Sequence, residues 1–142
     1  MQDTRVVKLL IHSGRDDFLV LRRSGTHPTQ AHMVDLPGGE MDRGESDLKA
    51  LDREIAEETG LILNTEDAIH VGFDAEYEPG VGMMTRVLYM LKIETIRPRV
   101  QLSDEHESFD WVSKEALRGF EPPFQVLVQT AVDFYMPPGT QE

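Results

Sequence analysis

Glu54, Glu57 and Glu58 stand at i, i+3 and i+4 in a segment of helical period. At 3.6 residues per turn they share an arc of about 100°, with neighbouring Cβ atoms roughly 5–6 Å apart. Carboxylates packed so closely repel one another, and helix energetics gives no reason to choose them. A hard divalent cation does, because it takes oxygen ligands and neutralises several charges at once. Arg53 lies one turn before Glu57, placed to pair with it and fix its orientation. The competing reading is a solvated Glu-rich face, which is common on exposed helices. Two further features favour the cation. Gly38-Gly39 closes an apolar stretch upstream, where glycines permit close backbone approach and a freed carbonyl can join a metal shell. Glu45 follows Gly44 shortly before the helix begins.

The elements that must hold these groups are legible in outline. Residues 5–11 and 17–23 are rich in Val, Leu and Ile around a turn at 13–16, and read as a hairpin. Residues 24–33 form a polar loop, and 34–36 a short apolar piece running into Pro37-Gly38-Gly39. From 46 to 59 the period is helical, with Leu48, Leu51 and Ile55 on one stripe beside the acidic arc and Gly60 as the stop. The acids therefore stand at the edge of the buried face, in a cleft. Strands are expected at 70–77 and 85–94 around a Pro79–Gly82 turn, and at 107–112. Ser113 caps a helical turn, and 123–136 reads as an amphipathic helix with Phe124, Leu127, Val128, Ala131 and Tyr135 inward. Strands around a central helix, with a second helix at the end, imply an α/β sandwich with a mixed sheet.

Composition bounds the chemistry. The 142 residues are the size of one domain, with 39% hydrophobic and 28% charged residues, so the chain reads as a single folded domain over 1–142. There is no cysteine, which excludes disulfides, thiolate zinc, iron–sulfur clusters and cysteine nucleophiles. The net charge of −12 repels nucleic-acid polymers and anionic membranes unless a divalent cation intervenes. Apolar runs are short, and residues 1–11 lack the pattern of a signal peptide, so a cytoplasmic location is expected.

Gly39, five residues, Glu45, seven residues, then Arg53-Glu54-Ile55-Ala56-Glu57-Glu58-Thr59-Gly60-Leu61 matches the Nudix box at every defined position. With average residue frequencies, a chance match at a given start is on the order of one in a billion. The flanks, Leu36-Pro37-Gly38 before the box and Glu105-His106 and Trp111-Val112 after it, also resemble the Nudix hydrolase family. The resemblance implies an α/β/α sandwich with a mixed sheet, and a MutT-like hydrolase using Mg²⁺ or Mn²⁺. Such an enzyme cleaves the diphosphate bond of a nucleoside diphosphate linked to another group, by water attack on phosphorus. It implies Glu57 and Glu58 as metal ligands, Glu54 as ligand or general base, and the Gly39 carbonyl as a further ligand. Gly38, Glu45 and Arg53 support them. Many relatives add an acid from a late loop, for which Glu105 is the first choice and Glu107 the second.

The isopentenyl diphosphate isomerase branch uses a catalytic cysteine and the decapping branch a basic RNA-binding surface; this sequence has neither. A non-catalytic nucleotide-binding module is the alternative, though such modules usually carry a damaged box. The expected partners are a small nucleotide and, at most, a second copy of the chain in a homodimer. Residues that read the substrate lie outside the box. Arg22 and Arg23 on the second strand are candidates for phosphate, against a solvated-surface role, with the loop 26–32 and the segment 77–84. A nucleoside triphosphate and an ADP-ribose or nucleotide-sugar substrate stand level.

Overall fold

The computed structural model describes residues 3–136, so both ends of the 1–142 reading lie outside the described residues. The frame is one mixed sheet built on β1 (Thr4–His12). On one side β1 runs parallel to β6 (Gly82–Lys92) from Thr4↔Met84 to His12↔Lys92, and β6 pairs antiparallel with β5 (Ile69–Glu78). On the other side β1 meets β2 (Phe18–Arg23) only at His12↔Phe18. This corrects the reading of the first two strands as a paired hairpin. At Val6 to Lys8 the edge of β1 is taken instead by β4 (Gly38–Glu40), so β1 and β2 splay apart. Beyond them β2 lies between β3 (Val34–Asp35) and β7 (His106–Val112), antiparallel to both.

Alternation along β1 divides the core. Val7, Leu9 and Ile11 join Leu19, Leu21, Leu51, Ile55 and Val87 beneath α1 (Asp47–Thr59). Leu10 faces the other way, among Phe18, Leu88, Phe124, Leu127 and Val128 beneath the C-terminal helical segment. Helices thus cover both faces of the sheet. Leu51 and Ile55 are buried as the stripe requires, and Leu48 is half-buried. α1 starts where Ser46 accepts a hydrogen bond from the Lys49 amide and ends where Gly60 takes a left-handed φ of 73°.

The predicted final helix differs from the one observed. α2 (Lys114–Leu117) is followed by a cis Pro122-Pro123 bond, then by α3 (Gln125–Thr130), which passes into a π-helical turn, Ala131–Tyr135. There the Met136 amide donates to the Ala131 carbonyl. The wider turn shifts the inward stripe: Val132 and Met136 are buried, and Tyr135, predicted inward, is 40% exposed. Among the described residues no helix is long and apolar enough to cross a membrane.

Candidate active site

The wheel of α1 sets how far each acid reaches inward. Taking Glu54 as zero, Glu58 lies about 40° toward Leu51, and Glu57 about 60° the other way. Burial follows that order. Glu58 is 4% exposed, while the side chains of Glu54 and Glu57 are 15% and 60% exposed. Glu58 and Glu54 line a cleft of about 890 Å³ that opens where β1 and β2 diverge; Glu57 does not line it. The expectation that all three acids open onto one cleft is met by two of them.

β4 brings the glycine pair against α1. The Gly38 amide donates to Glu58 Oε1 at 2.8 Å, and Gly38 has a φ of 127°. A Cβ at Gly38 would lie 2.1 Å from the Val7 carbonyl oxygen, so glycine is required by backbone and space alike. A Cβ at Gly39 would lie 2.7 Å from Glu54 Cδ: the carboxylate occupies the place a side chain would take.

Arg53 holds that carboxylate. Its Nε and Nη2 donate to the two Glu45 oxygens, both at 2.8 Å, its Nη1 donates to Glu54 Oε1 at 2.9 Å, and Nη2 also reaches the Glu40 carbonyl. The contact expected between Arg53 and Glu57 is the longest of these, at 3.6 Å. The arginine therefore fixes Glu54 and Glu45 rather than Glu57. The Arg53 hydrogen bonds hold the Glu45 carboxyl down to about 2. Burial pushes Glu54 up from its ordinary value; Arg53 opposes the rise, and Glu57 and Glu105 add to it.

Beneath the cleft lies a polar group that sequence reasoning missed. Lys8 Nζ sits 3.1 Å from Asp35 Oδ1 and donates to the Gly38 carbonyl at 2.9 Å. Arg23 Nη2 is 3.0 Å from Asp35 Oδ1, and His106 Nε2 is 2.8 Å from Asp35 Oδ2. Burial alone would raise Asp35, but Lys8, the His106 hydrogen bond and Arg23 hold it well below the usual carboxylate range. Glu58 has weaker support. Burial outweighs Lys8 and the Gly38 amide, and Asp35 and Glu54 add repulsion, so its carboxyl is pushed up to about 8.

The late acids separate. Glu105 lines the cleft, while Glu107 is engaged with His32 Nδ1 at 2.8 Å outside it. The strand arginines also separate, because neighbours on a strand face opposite ways. Arg23 lines the cleft; Arg22 is exposed, donates to the His32 carbonyl at 2.6 Å and does not line the cleft. From the later candidate segments, His27 and Met84 line the cleft, whereas Pro79-Gly80 belongs to the β5–β6 turn.

The donor set suits a divalent cation. Ligand atoms of Glu58, Glu105 and His106 all lie within 4.8 Å of one another, and His106 Nδ1 is buried with no hydrogen-bond partner. Burial disfavours the charged form of Glu58, which a cation would stabilise. The residues therefore fit the ion that the box implies. The family model for the NUDIX domain matches residues 2–129.

The chain belongs to the Nudix family.

Over 102 residues it is 31% identical to the asymmetrical bis(5'-nucleosyl)-tetraphosphatase of Mus musculus. That alignment takes in 70% of this chain and 65% of the mouse protein's length. Among solved structures, the MutT protein from Methanosarcina mazei Go1 superposes with a TM-score of 0.75 at 28% identity, covering 89% of this chain and 91% of that one. An Ap4A hydrolase from C. elegans, solved as a binary complex, gives a TM-score of 0.69 at 23% identity, covering 93% and 97%. At that identity the likeness speaks to the Nudix fold, which the sheet and its two helical layers share.

Proposed function

We propose that the protein is a divalent-metal-dependent pyrophosphohydrolase that cleaves the diphosphate linkage of a small nucleotide. The observation that carries this reading is the convergence of Glu54, Glu58 and Glu105 on one cleft, with Glu54 locked by the Arg53–Glu45 pair. Glu58 and Glu105 are assigned as carboxylate ligands, with Glu57 and the Gly39 carbonyl as further candidates at the rim. Bound Mg²⁺ or Mn²⁺ supplies charge neutralisation of the diphosphate and polarisation of its P–O bonds.

The chain's own groups do the rest. Glu54 is assigned as general base: half-buried, oriented by Arg53, and raised in proton affinity by its surroundings. It takes the proton of a water whose oxygen bonds to phosphorus while the anhydride P–O bond breaks, and the leaving phosphate departs with the bonding electrons. Arg23 stands at the cleft wall as a phosphate contact, with guanidinium donors beyond the one given to Asp35. A cleft of about 890 Å³ suits a ligand of dinucleotide size. The mouse relative's name supports dinucleoside tetraphosphates as the first substrates to try. A cytoplasmic location belongs to the same proposal.

The test is a panel of dinucleoside tetraphosphates, dNTPs, oxidised dNTPs, ADP-ribose and nucleotide sugars, assayed with and without Mg²⁺ or Mn²⁺ in H₂¹⁸O. The expected result is metal-dependent turnover of one class, with ¹⁸O in one phosphate product. Nucleotide binding with no turnover of any class would instead identify a non-catalytic binding module.

A further inference from the structure

The first residue of β7, His106, is buried, with its side chain 2% exposed, yet it borders the cleft. One ring nitrogen is accounted for: Nε2 lies 2.8 Å from Asp35 Oδ2. Asp35 is held between Lys8 and Arg23, so it stands there as a carboxylate and can only accept. The proton of that hydrogen bond therefore sits on Nε2, and in the neutral ring the lone pair is left on Nδ1. Nδ1 is the one buried side-chain polar atom without a partner among the described residues. Leaving a buried acceptor unmade is costly, and such exceptions call for a missing partner. A ring nitrogen of His106 and one carboxylate oxygen each of Glu58 and Glu105 lie within 4.8 Å of one another, a group that can hold a cation.

The geometry points to His106 as a nitrogen ligand, through Nδ1, of a divalent cation shared with Glu58 and Glu105. The inference rests on the metal-dependent reading of this cleft and adds an imidazole to a shell otherwise made of oxygen. Asp35 then has a defined task. A carboxylate on the far nitrogen fixes the tautomer and ring orientation and raises the basicity of the coordinating nitrogen. Lys8 and Arg23 keep that carboxylate ionised and in place. The chemical consequence is a change in metal preference. An all-oxygen shell suits Mg²⁺, whereas an imidazole favours first-row transition ions over it, Mn²⁺ least and Co²⁺ and Ni²⁺ progressively more.

The experiment is pulsed EPR of the Mn²⁺-loaded full chain. Directly bound ¹⁴N modulation is expected, altered in protein labelled with ¹⁵N-histidine. The chain has five histidines, and His27 also borders the cleft, so the signal must be assigned. In His106→Gln, whose amide still donates to Asp35, the coupling should vanish and Mn²⁺ affinity should fall about 10- to 100-fold. Mg²⁺ affinity should fall less. Mn²⁺ bound to the wild type without nitrogen coupling, or a coupling that survives in His106→Gln, overturns this assignment and leaves the hydrolase reading standing. Failure of the wild type to bind Mn²⁺ at all overturns both. Should the variant not fold, His27→Gln decides: a coupling that survives it supports His106, the other histidine lining the cleft, and a coupling that vanishes overturns the assignment.

Discussion

Glu58→Gln in the metal-free protein separates a buried charge that awaits a cation from one that merely supports the fold. The side chain is 4% exposed, accepts from the Gly38 amide, and has its carboxyl pushed from 4.5 to about 8, chiefly by burial. A carboxyl with a raised folded value binds its proton more tightly in the folded chain. Its stabilising effect is thus complete below about pH 4.5 and is lost as pH rises through about 8. Between those limits the metal-free protein should lose stability with increasing pH, by at most about 1.4 kcal/mol per unit. The shift corresponds to about 5 kcal/mol as an upper limit; water entering the open cleft reduces the realised penalty to about 2–3 kcal/mol.

Glutamine keeps the acceptor for Gly38 and removes the charge. Thermal unfolding in EDTA at pH 8.5 should therefore show Glu58→Gln melting above the wild type by about 5–10 °C. At pH 5 the two should nearly coincide. Millimolar Mg²⁺ or Mn²⁺ should raise the wild type at pH 8.5 and do much less for the variant, because the ion binds only the folded state. A metal-free wild type whose midpoint is flat from pH 5 to 8.5, or a variant destabilised at the upper pH, would refute the reasoning.

Glu54→Gln should lower turnover by about 10²–10⁴ with little change in substrate affinity, as expected for loss of a general base. If Glu54→Gln stays near full activity while Glu105→Gln is inactive in steady-state kinetics, the base lies on the late loop instead. Gly39→Ala pushes its Cβ against a carboxylate at the end of a flexible side chain, so the fold should give way cheaply. Turnover should nevertheless fall about 10²-fold as Glu54 swings off Arg53. Gly38→Ala meets backbone at a positive φ and should cost more than about 2 kcal/mol of stability in urea unfolding.

What the sequence made legible was local. The helix carrying the acids announces itself by a cap, a stop and a stripe, all within 15 residues, 46 to 60, and the observed helix agrees with each. The wheel already contains the ranking of Glu58 inside Glu54 inside Glu57, but turning it into burial requires knowing that β4 packs against that side. Arg53 has acids at several helical spacings, and only the loop bearing Glu45 decides which it grips. Lys8 and Asp35 each interrupt an apolar strand segment, a signal that could have flagged them. Their partners Arg23 and His106 are remote in sequence, so pattern alone could not join them. At the C-terminus the stripe was right through Ala131 and then failed, because one π turn adds a residue that periodicity cannot anticipate.

The charge balance around the cleft explains how so acidic a chain can take an anionic substrate. Lys8 and Arg23 share Asp35, and Arg53 serves Glu45 and Glu54. These paired groups leave no net charge. Among the described residues no ion pair reaches Glu58 or Glu105, the two acids that stand beside the unpartnered His106 nitrogen. Glu40, Glu76 and Asp104 also line the cleft without an ion pair among the described residues, and of these unpaired acids Glu58 and Glu105 together match the charge of one divalent cation. Without it the cleft repels phosphate and Glu58 resists ionisation. With it the same groups become the place where a diphosphate is least repelled on a surface of net charge −12. Fold and function therefore pull in opposite directions at Glu58: the residue that most weakens the metal-free protein is the one on which the proposed metal site most depends.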